Sequence, residues 1–183
     1  QWQGVPAIYD GSVLVISGHT IEGYLPGGTP FGSMSGLMFD CLPGAIRRKS
    51  LLRGGGPAGS DYRQLYLNIA VRALADPTLS VLATPNPSTI LKLLEVIRSD
   101  FPTLLEMLAG RSQSDVDLLP RPCPVRSARL LQLQALVGHA AGLDYATLWP
   151  NLQAVVTWTG GNCAVLIAGL RALLPPGTRV IEM

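Results

Sequence analysis

Charge is scarce in this chain. Asp, Glu, Lys and Arg make up 14% of its 183 residues, well under the ~25% of an ordinary globular domain. Acids and bases nearly cancel to leave a net charge of +2, which argues against nucleic acid as the main partner. The one basic cluster, Arg47-Arg48-Lys49 with Arg53, reads as a solvated helix end, where cations suit the C-terminal dipole. Cysteine is sparse as well. Cys41, Cys123 and Cys163 are odd in number and have no paired spacing, so they read as reduced, cytoplasmic thiols and not as a disulfide framework or zinc site. His19 and His139 are the two histidines, neither within metal spacing of a cysteine, so no metal site is expected. No apolar run approaches the ~20 residues of a spanning helix. Val13-Leu14-Val15-Ile16 is too short, is flanked by Asp10 and Ser17-Gly18-His19, and lacks the basic region and cleavage site of a signal peptide. No membrane partner is expected.

What the chain does have is apolar content, 48% of its residues. A chain this long buries roughly 70% of its unfolded surface, enough for one core. Low charge with positive mean hydropathy implies that part of the folded surface is covered by further chain or by a partner. Residues 12–17, 79–83, 152–158 and 178–183 read as buried strands from their β-branched and apolar runs. Helices are expected between them. Residues 33–41 form a short one capped by Ser33, with Met34, Leu37, Met38 and Cys41 on one side. A longer one, capped by Ser60 or Asp61, reaches Ala75, buries a wide apolar face and sends Arg63 and Arg72 to solvent. Asn86-Pro87 opens another to about Arg98, because Asn caps well and Pro suits the first helical position. Phe101-Pro102 starts a further helix to Leu108, residues 110–124 read as a connector, and residues 125–141 and 163–174 as helices. Residues 23–32 are a loop. Strands separated by helices imply an α/β fold with a parallel sheet and flanking helices.

Ligands in open parallel sheets gather beyond the C-terminal ends of the strands. Two turns stand at such ends. Thr159-Gly160-Gly161-Asn162 joins a strand to a helix N-terminus, whose unpaired backbone N–H groups suit a nucleotide or an acyl carboxylate. Thr84-Pro85-Asn86-Pro87-Ser88-Thr89 does the same one strand earlier, and the two can face one pocket; a plain helix cap explains the second equally well. Gly54, Gly56 and Gly59 fit G-x-G-x-x-G, but no clear strand precedes them and Pro57 sits inside, so they read as a linker. Gly32-Ser33-Met34-Ser35-Gly36 has Met where a nucleophile elbow needs Ser; the helix cap accounts for Ser33, while Met34 and Ser35 can line a pocket.

Three stretches together carry a more specific signal. They are Gly23-Tyr24-Leu25-Pro26-Gly27-Gly28-Thr29-Pro30-Phe31-Gly32-Ser33, Thr84-Pro85-Asn86-Pro87-Ser88-Thr89-Ile90-Leu91-Lys92-Leu93-Leu94, and Leu148-Trp149-Pro150-Asn151-Leu152 followed by Trp158-Thr159-Gly160-Gly161-Asn162. In this order, over nearly the whole chain, they resemble the bacterial branch of the auxin-responsive Gretchen Hagen family. Its members are acyl-acid amido synthetases of the adenylate-forming superfamily. The resemblance implies the large N-terminal domain of such an enzyme, with residues 1–183 as one domain and an incomplete, internal fragment of it. It implies ATP and magnesium in the parent, with none bound to this chain alone. A carboxylic acid would be activated as acyl-adenylate and passed to an amino acid amine, positioning and charge stabilisation being the protein's part. Thr159, Gly160, Gly161 and Asn162 would lie beside nucleotide and acyl group. Ser33, Met34, Ser35, Thr84, Asn86 and Thr89 would line the acyl pocket. Plant relatives often carry Arg near the position of Thr89, so their hormone substrates do not carry over. The family's phosphate loop is expected before residue 1 and its Tyr-x-x-Ser-Glu-like turn after Met183, so the chain alone is expected to be inactive and its catalytic residues unidentified. Two alternatives stand beside this: a non-catalytic domain that binds a ligand or self-associates through the sheet edges at residues 12–17 and 178–183, and a thioester-forming acyl-CoA synthetase.

Overall fold

A computed structural model describes residue 8 and residues 10–52, 61–110, 127–137 and 143–183. Gly54, Gly56 and Gly59, Cys123, His139 and the connector after Gly110 lie outside the described residues. From the N-terminus, β1 (Ser12–Val15) leads to a small hairpin, β2 (Gly23–Tyr24) and β3 (Pro30–Phe31). Then come α1 (Met34–Asp40), α2 (Gly44–Lys49), α3 (Tyr62–Ala75) and β4 (Leu79–Ala83). Next are α4 (Pro87–Ser99), α5 (Phe101–Gly110), α6 (Ser127–Gln134), α7 (Tyr145–Leu148) and β5 (Ala154–Thr157). A 3-10 turn at Gly161–Cys163, α8 (Ala164–Leu173) and β6 (Arg179–Glu182) complete the chain.

The four longer strands form one parallel sheet in the order β1-β4-β5-β6. Each crossover therefore steps the same way, which places successive crossover helices on one face. Leu14, Leu82 and Val155 pack there against Ala70 and Leu74 of α3, Leu93 of α4 and Leu170 of α8. Side chains alternate along a strand, so Val13, Val15, Val81 and Val156 belong to the opposite face, where Ile8 and Phe39 of α1 cover them. The fold class expected from the sequence is the one observed. β1 and β6 are the two edges of the sheet. The first is partly occupied, since the end of α2 adds a parallel bridge from Ser50 to Val13 and Leu51 donates to the Val13 carbonyl at 2.8 Å. No helix among the described residues is long and apolar enough to cross a membrane.

Helix starts follow their caps. Asp61 accepts from Arg63 N and Asn86 from Ser88 N, with Pro87 at the first helical position. Arg47, Arg48 and Lys49 occupy the last turn of α2, the helix end that favours cations. Three expectations differ from what is observed. Residues 23–32 are a two-stranded hairpin and not a plain loop. Arg72 is buried, at 3% exposure, and donates to the Leu51 carbonyl at 2.9 Å; the guanidinium satisfies backbone that the end of α2 leaves inside. Helix α1 turns its expected apolar side outward. Met34, Leu37, Met38 and Cys41 are exposed, while Gly36 and Phe39 face in. Gly36 decides this orientation, because a Cβ there would stand 2.5 Å from His19 C and Thr20 N; the helix rests directly on that backbone.

The crossover from β4 to β5 is fastened at the C-terminus of α3, where an α-helix leaves carbonyls without partners. Trp149, fully buried, donates Nε1–H to the Ala73 carbonyl at 2.7 Å. Arg129, also buried, donates from Nε to the next carbonyl, Leu74, at 3.0 Å, and from Nη2 to the Leu148 carbonyl at 2.5 Å. Tyr145 stacks on Trp149 and donates its hydroxyl to the Leu94 carbonyl at 2.8 Å. The Leu148-Trp149-Pro150 motif is thus core architecture.

Burial raises the Tyr145 phenol above its ordinary 10.0 against a smaller opposing effect of Arg98. Tyr66 is raised further, by burial first and by the Tyr62 hydroxyl second. Below pH 10 folded and unfolded chains hold both protons alike. Above it the unfolded chain releases protons that the fold retains, so stability falls as pH rises towards the raised values. Urea midpoints at pH 9 and 11 check this, and the Tyr66→Phe/Tyr145→Phe variant is expected to lose less stability over that interval than the wild type.

Candidate functional site

At the C-terminal edge of the sheet, the loops after β1, β4, β5 and β6 converge through backbone hydrogen bonds. Ile16 N donates to Ala83 O at 2.8 Å, Thr84 N to Val156 O at 3.0 Å and Met183 N to Thr157 O at 3.2 Å. The two turns singled out by sequence meet directly. Pro85 O accepts from Trp158 N at 3.0 Å and from the Thr157 hydroxyl at 3.1 Å. Thr84 is buried at this seam. Asn86 is committed to its cap, accepting from Ser88 N at 3.0 Å and the Ser88 hydroxyl at 2.8 Å.

Ser33 and Ser35 serve local structure first. Ser35 Oγ accepts from Gly18 N at 2.9 Å and lies 2.7 Å from Ser33 Oγ, while Ser33 N donates to His19 O at 2.8 Å. Together with Gly36 these bonds clamp the loop after β1 onto the start of α1. Met34, between the two serines, is 68% exposed and remains available to a ligand.

Thr89, in the first turn of α4, neighbours the buried Tyr66 hydroxyl, which also accepts from Tyr62 at 3.2 Å. The Thr89 hydroxyl draws the Tyr66 phenol downward, a smaller effect than those raising it. This corner presents neutral hydroxyls.

In the β5–α8 turn, Gly161 adopts φ +56°, a left-handed conformation that suits glycine. The backbone there is less open than the sequence implies. Thr159 N and its hydroxyl both donate to Glu182 Oε2 at the end of β6, the first at 2.7 Å, and Trp158 N is taken by Pro85. Glu182, Tyr62 and Tyr66 were not singled out by sequence, and no local motif marks them: each is defined by an element distant along the chain. Among the described residues, no three His, Cys, Asp or Glu side chains gather where they could hold a metal ion.

A model of the GH3 family N-terminal domain matches residues 2–178. The chain belongs to the GH3 family. Solved structures agree on the fold. One, a GH3.15 acyl acid amido synthetase, superposes with a TM-score of 0.66 at 16% identity, covering 96% of this chain and 33% of its own. Another, AtGH3.15 acyl acid amido synthetase in complex with 2,4-DB, gives 0.69 at 17% identity, with 99% and 33% covered. This GH3 chain therefore spans about a third of the length of the structures it matches. A search of the curated proteins gives no match.

Proposed function

We infer that this GH3 chain forms part of the adenylating domain of an ATP-dependent acyl-acid amido synthetase, of the family's bacterial branch and cytoplasmic. In the first step a substrate carboxylate oxygen attacks the α-phosphorus of ATP, giving acyl-adenylate and pyrophosphate. In the second an amino acid amine attacks the acyl carbon, the C–O bond to AMP breaks, and the amide leaves with one proton lost from nitrogen. Membership of the GH3 family over residues 2–178 carries this reading. The convergence of the 84–86 and 158–159 turns at the C-terminal edge of a parallel sheet supports it, since that is where such sheets bind ligands.

In this reading Gly160, Gly161 and Asn162 approach the nucleotide and acyl group, with Thr159 behind them. Met34 and Thr89 meet the acyl group, while Ser33, Ser35, Thr84 and Asn86 hold the outline of its pocket. The neutral corner at Thr89, Tyr66 and Tyr62 favours an acid whose distal end is uncharged. Among the described residues no three His, Cys, Asp or Glu side chains gather as a metal cage, so a magnesium ion that accompanies ATP would be held chiefly by the phosphates.

The natural polypeptide carrying this chain, given ATP, a panel of carboxylic acids and mixed amino acids, is expected to release pyrophosphate and AMP and to form an N-acyl amino acid. Mass spectrometry of the products decides it. Thioesters formed only with CoA would transfer the chain to the acyl-CoA reading, and no acid-dependent pyrophosphate release would end both. The self-associating alternative draws on the places of β1 and β6 at the sheet edges; a monomer in sedimentation disposes of it.

A further inference from the structure

We propose that Glu182 is a positioning residue for the 159–162 turn, a role that rests on the adenylating function inferred above. Glu182 ends β6, in parallel register with Thr157 of β5. From there its Oε2 accepts both the backbone N–H of Thr159, at 2.7 Å, and the Thr159 hydroxyl. Bonds to an ionised acceptor are shorter and stronger than neutral ones. Among the described residues no Lys or Arg forms an ion pair with this carboxylate, so its described bonds go to the turn.

The turn needs such a hold. Gly160 and Cys163 make no side-chain capping bond, and the first turn of α8 contains no acid. Glu182 supplies from the neighbouring strand the negative charge that a helix N-terminus favours. Nothing lies within 4 Å of where a Cβ would stand on Gly160 or Gly161, so packing does not fix these two glycines. With the donors of Thr159 taken, the turn meets a ligand through Gly160, Gly161 and Asn162, and the Glu182 contact sets where those groups stand.

The experiment uses the natural polypeptide. Glu182→Ala is expected to raise KM for ATP about tenfold while kcat moves by less than about twofold. Glu182→Gln, whose amide oxygen still accepts both bonds but carries no charge, restores part of the affinity. Thr159→Val, which keeps the backbone N–H bond, raises KM in the same direction but by less, and Glu182→Ala costs less on that background than alone, because the hydroxyl bond they share is already gone. Hydrogen exchange in the peptide spanning residues 158–163 is expected to be faster in Glu182→Ala than in the wild type. A purely structural role would lower the melting temperature and leave KM unmoved. Turnover with unmoved KM, a tighter KM, or a Glu182→Gln enzyme as impaired as Glu182→Ala overturns this role alone. A wild type without adenylation overturns the functional reading and this role with it, even where the exchange difference marks the contact itself as present.

Discussion

Replacing Trp149 with alanine is expected to lower the unfolding free energy by about 4 kcal/mol, within the range for large-to-small changes at buried aromatics. The side chain is fully buried, so the substitution opens a cavity that its neighbours refill only in part. It also strips the Ala73 carbonyl of the indole N–H that meets it at 2.7 Å. Trp149→Phe separates the two effects. It keeps most of the ring volume and loses the donor, for an expected cost of about 1–2 kcal/mol. Urea unfolding followed by circular dichroism measures both. A loss under about 1 kcal/mol for Trp149→Ala would show that the site collapses freely and that the hydrogen bond contributes little.

Arg129→Met is expected to cost about 3 kcal/mol, a fall in melting temperature of roughly 6–12 °C for a chain of this size. Methionine fills much of the same volume but leaves the Leu74 and Leu148 carbonyls without the guanidinium that serves both. Burial holds the Arg129 pKa below its ordinary value, and Asp76 partly offsets this. The group nonetheless stays charged at any working pH, so its cation must be matched by these carbonyls. Arg129→Lys, with a single compact donor group, is expected to recover part of the loss. Because Trp149 and Arg129 cap successive carbonyls of α3, their double variant is expected to depart from additivity, whereas Arg129→Met combined with a distant surface change is expected to add. Differential scanning fluorimetry across the four variants of that cycle is sufficient.

Much of this fold is legible in the sequence because its signals are local. The run Leu79–Ala83 is the β4 strand, and Asn86-Pro87 starts α4 through a cap and a fixed φ that neighbouring residues alone specify. The strand β5 is shorter than the apolar run around it, since parallel pairing to β4 and β6 ends before Trp158 leaves the sheet. Buried arginines are a different matter. Arg72 and Arg129 look like solvent-facing residues in any helical pattern, and only the carbonyls that they meet, Leu51 after α2, Leu74 of α3 and Leu148 of α7, make burial favourable. Helix α1 misleads for a related reason. Its apolar stripe is real, but Gly36 admits a backbone approach that a pattern of apolar residues does not encode.

The candidate site divides along the same line. That the 84–89 and 159–162 turns lie at strand ends follows from reading strands and helices in order. That Glu182 takes the donors of Thr159, and that Tyr66, with Tyr62 against it, adjoins Thr89, follows from the order β4-β5-β6 and the packing of α3 on α4. Neither is written in adjacent residues.

The Pro85 carbonyl, shared by Trp158 N and the Thr157 hydroxyl, separates outline from chemistry at this edge. The seam between the two turns is made chiefly by main-chain atoms, which survive most side-chain replacements. Thr89, which follows that seam at the start of α4, can therefore change from one residue type to another while the main-chain contour keeps its shape. Under the proposed function, a change of preferred acid would require new surface on an old frame, and a lineage would explore acyl partners without first rebuilding the sheet beneath them.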